Sequence, residues 1–242
     1  MRLRHYGQAA QLTLWAALFP VNCYLVREED GLTLVDTTMR AGAKGVARAI
    51  QAAGIPLRRI VLTHVHADHI GGLDALKAVF PEAEVAVPGR SQPLLRGHMQ
   101  SLPGEDPAPV KGTFCNVLTA PDRLVGPGDA VGSLEVVAAP GHTPDSVAYL
   151  DHRDGTLIAG DALFTRGGLA VAGERRAAWP FVTWRTWSAV TALRSARRLA
   201  GLEPSSLMCG HGPVLENPAA ALGVGIKRAE ARIGAAPTRE PA

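Results

Sequence analysis

The chain has 242 residues, 47% hydrophobic and 19% charged, with a mean hydropathy of +0.07. That composition excludes a mainly disordered chain. The 25 Lys+Arg against 22 Asp+Glu leave a net charge of only +3, without a basic cluster to mark a nucleic-acid surface. Cys23, Cys115 and Cys209 cannot all pair and form no CxxC, which points to buried thiols in a reducing compartment, the cytoplasm.

From Tyr6 to Val26 no residue is charged, and Arg2 and Arg4 come just before, a superficial likeness to a signal peptide or membrane span. Gln8, Gln11, Pro20 and Asn22 interrupt the stretch, so two strands at about 9–18 and 21–27 are expected, with no membrane association. A short strand follows at Gly31–Asp36, then a helix over 46–53 stopped by Gly54 and Pro56. Arg59–Thr63 reads as a buried strand, Leu73–Phe80 as a helix closed by Pro81, Glu84–Val87 as a strand and 92–96 as a short helix. Residues 101–113, rich in Pro and Gly, look most like a linker. The pattern then restarts with strands near 134–139, 146–150 and 156–160, an irregular stretch over 165–183 and a helix over 186–200. A strand at 206–209 and a helix at 218–233 complete it. Strands occur both singly between helices and in runs. A single mixed α/β domain over 1–242 is therefore expected, with two similar halves at about 1–113 and 114–235 and a frayed tail at 236–242.

The chemistry concentrates in Thr63-His64-Val65-His66-Ala67-Asp68-His69. It follows the apolar run Ile60–Leu62 and precedes Gly71-Gly72. In extended backbone, residues two apart face the same way, so His64 and His66 can reach one ion, whereas on a helix they would diverge by about 200°. After a turn, Asp68 and His69 can serve a second ion. His142, Asp161 and His211 each follow an apolar strand with Gly beside them, and strand ends gathered at one edge of a layered fold converge on one cleft. Five histidines and two aspartates suffice for two ions, and imidazole with carboxylate suits Zn²⁺, with Mn or Fe as alternatives.

These residues resemble the metallo-β-lactamase superfamily over roughly residues 9–215, in its glyoxalase II and lactonase-like branch. Asp36 in LVDTT, the H-x-H-x-D-H block, Gly141-His142-Thr143, Gly160-Asp161 and Gly210-His211-Gly212 match its motifs in order. The resemblance implies a four-layer αββα sandwich, two mixed β-sheets flanked by helices, with the site at one edge of the sheets. It implies that His64, His66 and His142 hold one metal, that Asp68, His69 and His211 hold the other, that Asp161 bridges both and that Asp36 braces a ligand without being one. Two departures stand out. Asp145 replaces the last residue of the Gly-His-Thr-Pro-Gly turn, and Phe164 stands three residues after the bridging aspartate, where acyl-homoserine lactonases carry a tyrosine.

A binuclear hydrolase is therefore expected, with two divalent ions, mainly Zn²⁺, and a small-molecule ester, lactone or thioester substrate. Reaction would pass through a metal-bridging hydroxide, with Asp68 orienting it and shuttling its proton. The rival reading is an oxidoreductase like the persulfide dioxygenases, which use a single Fe. Phe164, Trp179, Phe181 and Trp184 are the expected substrate-pocket residues, because three of the four Trp crowd between Trp179 and Trp187 with Gly and Pro around them.

Overall fold

The computed structural model describes residues 1–174 and 184–234. The first strands are β1 (Arg2–Tyr6), β2 (Ala9–Leu14), β3 (Val21–Arg27) and β4 (Leu32–Val35). They are followed by α1 (Ala43–Ala53), β5 (Leu57–Val61), α2 (Ala67–Ile70), α3 (Leu73–Val79), β6 (Glu84–Pro88), α4 (Ser91–Leu95) and β7 (Arg123–Val125). Next come β8 (Ala130–Val131), β9 (Leu134–Ala138), β10 (Val147–Asp151), β11 (Thr156–Gly160), β12 (Leu163–Phe164) and β13 (Ala170–Val171). The chain continues through α5 (Ala189–Ala200), β14 (Ser206–Cys209), β15 (Leu215–Glu216) and α6 (Ala219–Gly234).

Among the described residues, β1 to β7 form a seven-stranded sheet in chain order, antiparallel up to β4 and parallel from there. The second sheet has the order β15-β14-β11-β10-β9-β8, with β11 and β14 parallel, and β12 pairs with β13 alone. Both large sheets are mixed, as expected.

Alternation along the strands builds the layers, because successive side chains leave a strand on opposite faces. Cys23, Leu25 and Ile60 pack with Val46, Ile50, Leu73 and Leu76 of α1 and α3. Their neighbours Tyr24, Val26 and Val61 face the other way and pack against Val136, Val147, Tyr149, Ile158 and Met208 of the second sheet. Ala148, Leu150 and Leu157 then meet Ala192, Ala196, Leu199, Leu222 and Ile226 of α5 and α6. Three apolar cores thus separate four layers, helix, sheet, sheet, helix. No described helix is long and apolar enough to cross a membrane.

Several elements differ from expectation. The strand expected over 9–18 ends at Leu14, and 15–19 form a turn in which Trp15 takes φ +49°. β1 pairs with β2 although its residues are almost all exposed; as an edge strand it needs no apolar face, and Arg2, Arg4 and His5 keep that edge polar. The linker-like stretch is helix- and strand-free but makes specific bonds to the site.

Candidate metal centre

The site residues gather where strands end on one edge of the sandwich. β5 runs through Leu62 and Thr63 into extended residues 64–66, and α2 then turns Asp68 and His69 back toward them. His142 follows β9, Asp161 follows β11 and His211 follows β14. The sheets are joined here, since the Val147 N–H donates to the Thr63 carbonyl at 2.9 Å and Tyr149 Oη to the Leu62 carbonyl at 2.8 Å.

The ligand atoms of His64, His66 and His142 lie within 4.8 Å of one another, as do those of Asp68, His69 and His211, and those of His64, His69 and Asp161. Asp161 Oδ2 is 3.4 Å from His142 Nε2 and 3.2 Å from His211 Nε2, while Oδ1 is 3.3 Å from His69 Nε2. All seven residues are therefore brought together. His64, His66, His69, His142, Asp161 and His211 are buried, and the Asp68 side chain keeps 13% exposure.

Acceptor-only partners decide which ring nitrogens point inward. His69 Nδ1 donates to Asp36 Oδ2 at 2.8 Å, and His211 Nδ1 donates to the Pro20 carbonyl at 2.7 Å, leaving Nε2 of both rings for the cluster. Thr63 Oγ1 gives its proton to Asp36 Oδ2 at 2.8 Å, so at 3.1 Å it must accept from His64 Nδ1. His66 is turned the other way, with Nε2 donating to the Lys111 carbonyl at 2.8 Å and Nδ1 facing His142 Nε2 at 2.9 Å. Asp36 thus braces two histidines, one directly and one through Thr63, from a backbone position with φ +62°.

The donor set fits divalent cations. His64 Nε2, His69 Nε2 and Asp161 Oδ1 are buried without a hydrogen-bond partner, although they converge, which is the arrangement of ligand atoms rather than of a protein hydrogen-bond network. Burial pushes the His64 pKa well down and that of His142 down to about 3. For His211, burial is outweighed by Asp161 and Asp68, which raise it to about 10, and Asp161 and Asp36 likewise raise His69. The carboxylates demand positive charge here, and a divalent ion would supply it.

At the departure from the usual turn, Asp145 is buried and Oδ2 accepts from Ser91 Oγ at 2.6 Å, tying the His142 turn to α4, while burial raises its pKa. The turn itself is kept, with Gly141 N–H bonded to the Thr143 carbonyl at 3.0 Å. Phe164 is buried and stacks on His211, ring centroids 5.7 Å apart and planes 4° apart, and meets His142 in a T-shaped contact with centroids 5.9 Å apart. Trp184 is 68% exposed, and Trp179 and Phe181 lie outside the described residues. Gln11, Asn22 and Tyr24, which donate to carbonyls beside His211, were not among the expected site residues. Phe19 and Phe114, also absent from the expected set, pack beside His211 and His66 with centroids 4.9 and 5.1 Å away.

The model of the metallo-beta-lactamase superfamily matches residues 16–211. An uncharacterized protein of Bacillus subtilis, YobT, is 43% identical over 231 residues, 95% of this chain and 99% of that protein. The hydroxyacylglutathione hydrolase of Aeromonas hydrophila is 33% identical over 144 residues, 60% of this chain but only 47% of that enzyme, so the match spans about half its length. Among solved structures, DIM-1 metallo-beta-lactamase superposes with a TM-score of 0.70 at 19% identity, covering 95% of this chain and 97% of that one. TTHA1623 in a di-iron-bound form does so with a TM-score of 0.65 at 25% identity, covering 87% and 96%. The chain belongs to the metallo-beta-lactamase superfamily and is a metal-dependent hydrolase of that fold.

Proposed function

We propose that this hydrolase holds two divalent ions, mainly zinc, and cleaves an ester, lactone or thioester bond in a small-molecule substrate in the cytoplasm. The observation that carries the binuclear reading is the place of Asp161, whose Oδ2 reaches one histidine of each outer triad at 3.4 and 3.2 Å. In this reading His64, His66 and His142 would hold one ion and Asp68, His69 and His211 the other, with Asp161 available to both. The di-iron-bound relative supports a two-ion site. The hydroxyacylglutathione hydrolases among the relatives support an acyl bond as the point of cleavage.

Bound ions of this kind acidify a water and polarise a carbonyl oxygen. The chain's own residues do the rest. Asp68 stays ionised: burial raises its pKa, but the His211 hydrogen bond and the charges of His69 and His211 bring it well below the usual carboxylate range. As the cluster's most exposed residue, Asp68 accepts the proton of the attacking water and returns it to the leaving oxygen or sulfur as the carbonyl–heteroatom bond breaks. Phe164 and Phe19 shield the His211 side from water.

The test is metal analysis of chelator-free protein together with ester, lactone and thioester panels. Two ions per chain are expected, and Asp68→Asn should lower turnover at least ~100-fold without loss of fold. A single iron per chain with oxygen uptake on a persulfide would overturn the assignment.

A further inference from the structure

The linker-like segment is fastened to the metal centre at both ends. At one end, the Lys111 carbonyl accepts from His66 Nε2 at 2.8 Å, the Thr113 carbonyl accepts from the Ala67 N–H at 2.8 Å, and Phe114 packs edge-on to the His66 ring. At the other, Trp187 Nε1 donates to the Ala108 carbonyl at 2.8 Å and Ser188 Oγ to Asp106 Oδ2 at 2.5 Å. Ser188 also caps α5, and the Trp187 N–H donates to the His142 carbonyl at 2.8 Å. The strap therefore bears on two histidines of the same triad, directly on His66 and through Trp187 on the His142 backbone.

Gly112 lies between the Lys111 and Thr113 carbonyls with φ +123°, and a methyl group there would overlap Nε2, Cδ2 and Cε1 of His66. The His66 ring is 1% exposed and enclosed by His64, His142 and Phe114, so it has no room to swing aside. A side chain at position 112 must instead lift the strap and break the Lys111 bond. That bond keeps the proton on Nε2 and the Nδ1 lone pair toward the triad; without it, the ring is free to present an N–H there.

We propose that the strap over residues 106–114 is a positioning element for the His64–His66–His142 triad, with Gly112 the positioning residue that lets the Lys111 carbonyl orient His66. This rests on the metal-binding reading of the triad, but not on the number of ions or the substrate. Hydrogen-bond partners of metal-bound histidines are worth about 10–100-fold in metal affinity, which sets the size of the effect.

Gly104 supplies the matched control. It lies in the same linker-like stretch, two residues before the strap, and has a left-handed φ of +87°, but a methyl there meets nothing within 4 Å. Titration of metal-free protein with Zn²⁺ against a chromophoric chelator should show Gly112→Ala weakening one site by about 10–100-fold, with Gly104→Ala near wild type. In ¹⁵N-correlated spectra of the metal-free protein, the His66 Nε2 proton should persist in wild type and Gly104→Ala and be lost in Gly112→Ala. Trp187→Phe keeps an aromatic ring but removes the donor to Ala108; it should weaken Zn²⁺ binding less, and it carries the test if Gly112→Ala does not fold. Wild-type Zn²⁺ affinity together with an intact His66 Nε2 proton in the folded variant would overturn the proposal. If wild type binds no Zn²⁺ the metal reading itself fails, while the proton readout still decides the strap.

Discussion

Asn22 sets the position of His211 without touching its ring. Its Nδ2 donates to the carbonyls of Cys209 at 2.9 Å and Gly212 at 2.8 Å, on either side of the histidine, and its backbone N–H donates to Gly210 at 2.8 Å. Thr13 Oγ1 donates to Asn22 Oδ1 at 2.9 Å and so orients the amide. Tyr24 Oη and Gln11 Nε2 add second donors to the Cys209 and Gly212 carbonyls. The first sheet thus grips the loop of the second that carries His211.

Because each carbonyl keeps a second donor, Asn22→Ala should fold. It loses two buried hydrogen bonds and leaves Thr13 without its acceptor, a cost of about 1–3 kcal/mol. Urea unfolding of metal-free protein measures this. Unchanged stability would mean that Tyr24 and Gln11 alone hold the loop.

Asp36→Asn tests the two-histidine brace. An amide presents one acceptor oxygen where the carboxylate presents two, yet the Thr63 N–H, the Thr63 hydroxyl and His69 Nδ1 all donate to this side chain. The His69 and His64 tautomers are then no longer both fixed. Metal affinity should fall by about 10–100-fold in chelator competition, with little change in the circular dichroism spectrum. An unaltered affinity would reduce Asp36 to a turn residue.

Much of this site was legible in sequence because ligands at strand ends leave two signals at once, an apolar run and a polar residue beside glycine. His142, Asp161 and His211 carried both, while His64 was marked by the apolar run and the H-x-H-x-D-H spacing. Asn22 and Gln11 did not: a buried amide in a strand looks like any interruption of an apolar run until the carbonyls across the sheets are seen. The strap was illegible for another reason. Its bonds to His66, Trp187 and Ser188 are long-range, whereas Pro and Gly content reports only the absence of regular local structure. β1 escaped because an exposed edge strand needs no hydrophobic alternation.

Away from the site, Asp151 provides an acid-sensitive element. Burial raises its pKa, but Arg153 Nε at 2.9 Å and Nη2 at 2.6 Å, with Ser133 Oγ, more than reverse this and leave it below the ordinary value. A depressed folded-state pKa means that its contribution is complete above the unfolded value of about 3.9 and is lost as pH falls through the folded one. Stability should therefore decline on acidification below about pH 4, and Asp151→Asn should flatten part of that decline. Urea midpoints measured across this range decide it; parallel curves for the two proteins would exclude Asp151 as a contributor.

Phe164 bears on which acyl compound is cleaved. Its ring lies parallel to His211 and edge-on to His142, so it spans the two outer triads while offering no hydrogen-bond donor. The lactonase resemblance puts a tyrosine hydroxyl at this position. One preorganised donor to a developing oxyanion is worth on the order of 3 kcal/mol, roughly 100-fold in rate. Activated aryl esters and thioesters, whose leaving groups depart without help, should therefore be better substrates than homoserine lactones. Phe164→Tyr should raise lactone turnover far more than aryl-ester turnover, measured as kcat/KM on matched pairs with equal acyl chains. The ring is only 3% exposed, so a hydroxyl that clashes would instead lower both activities and the melting temperature together. Efficient lactone hydrolysis by wild type, with no gain from tyrosine, would refute the donor argument and make lactones the leading substrate class.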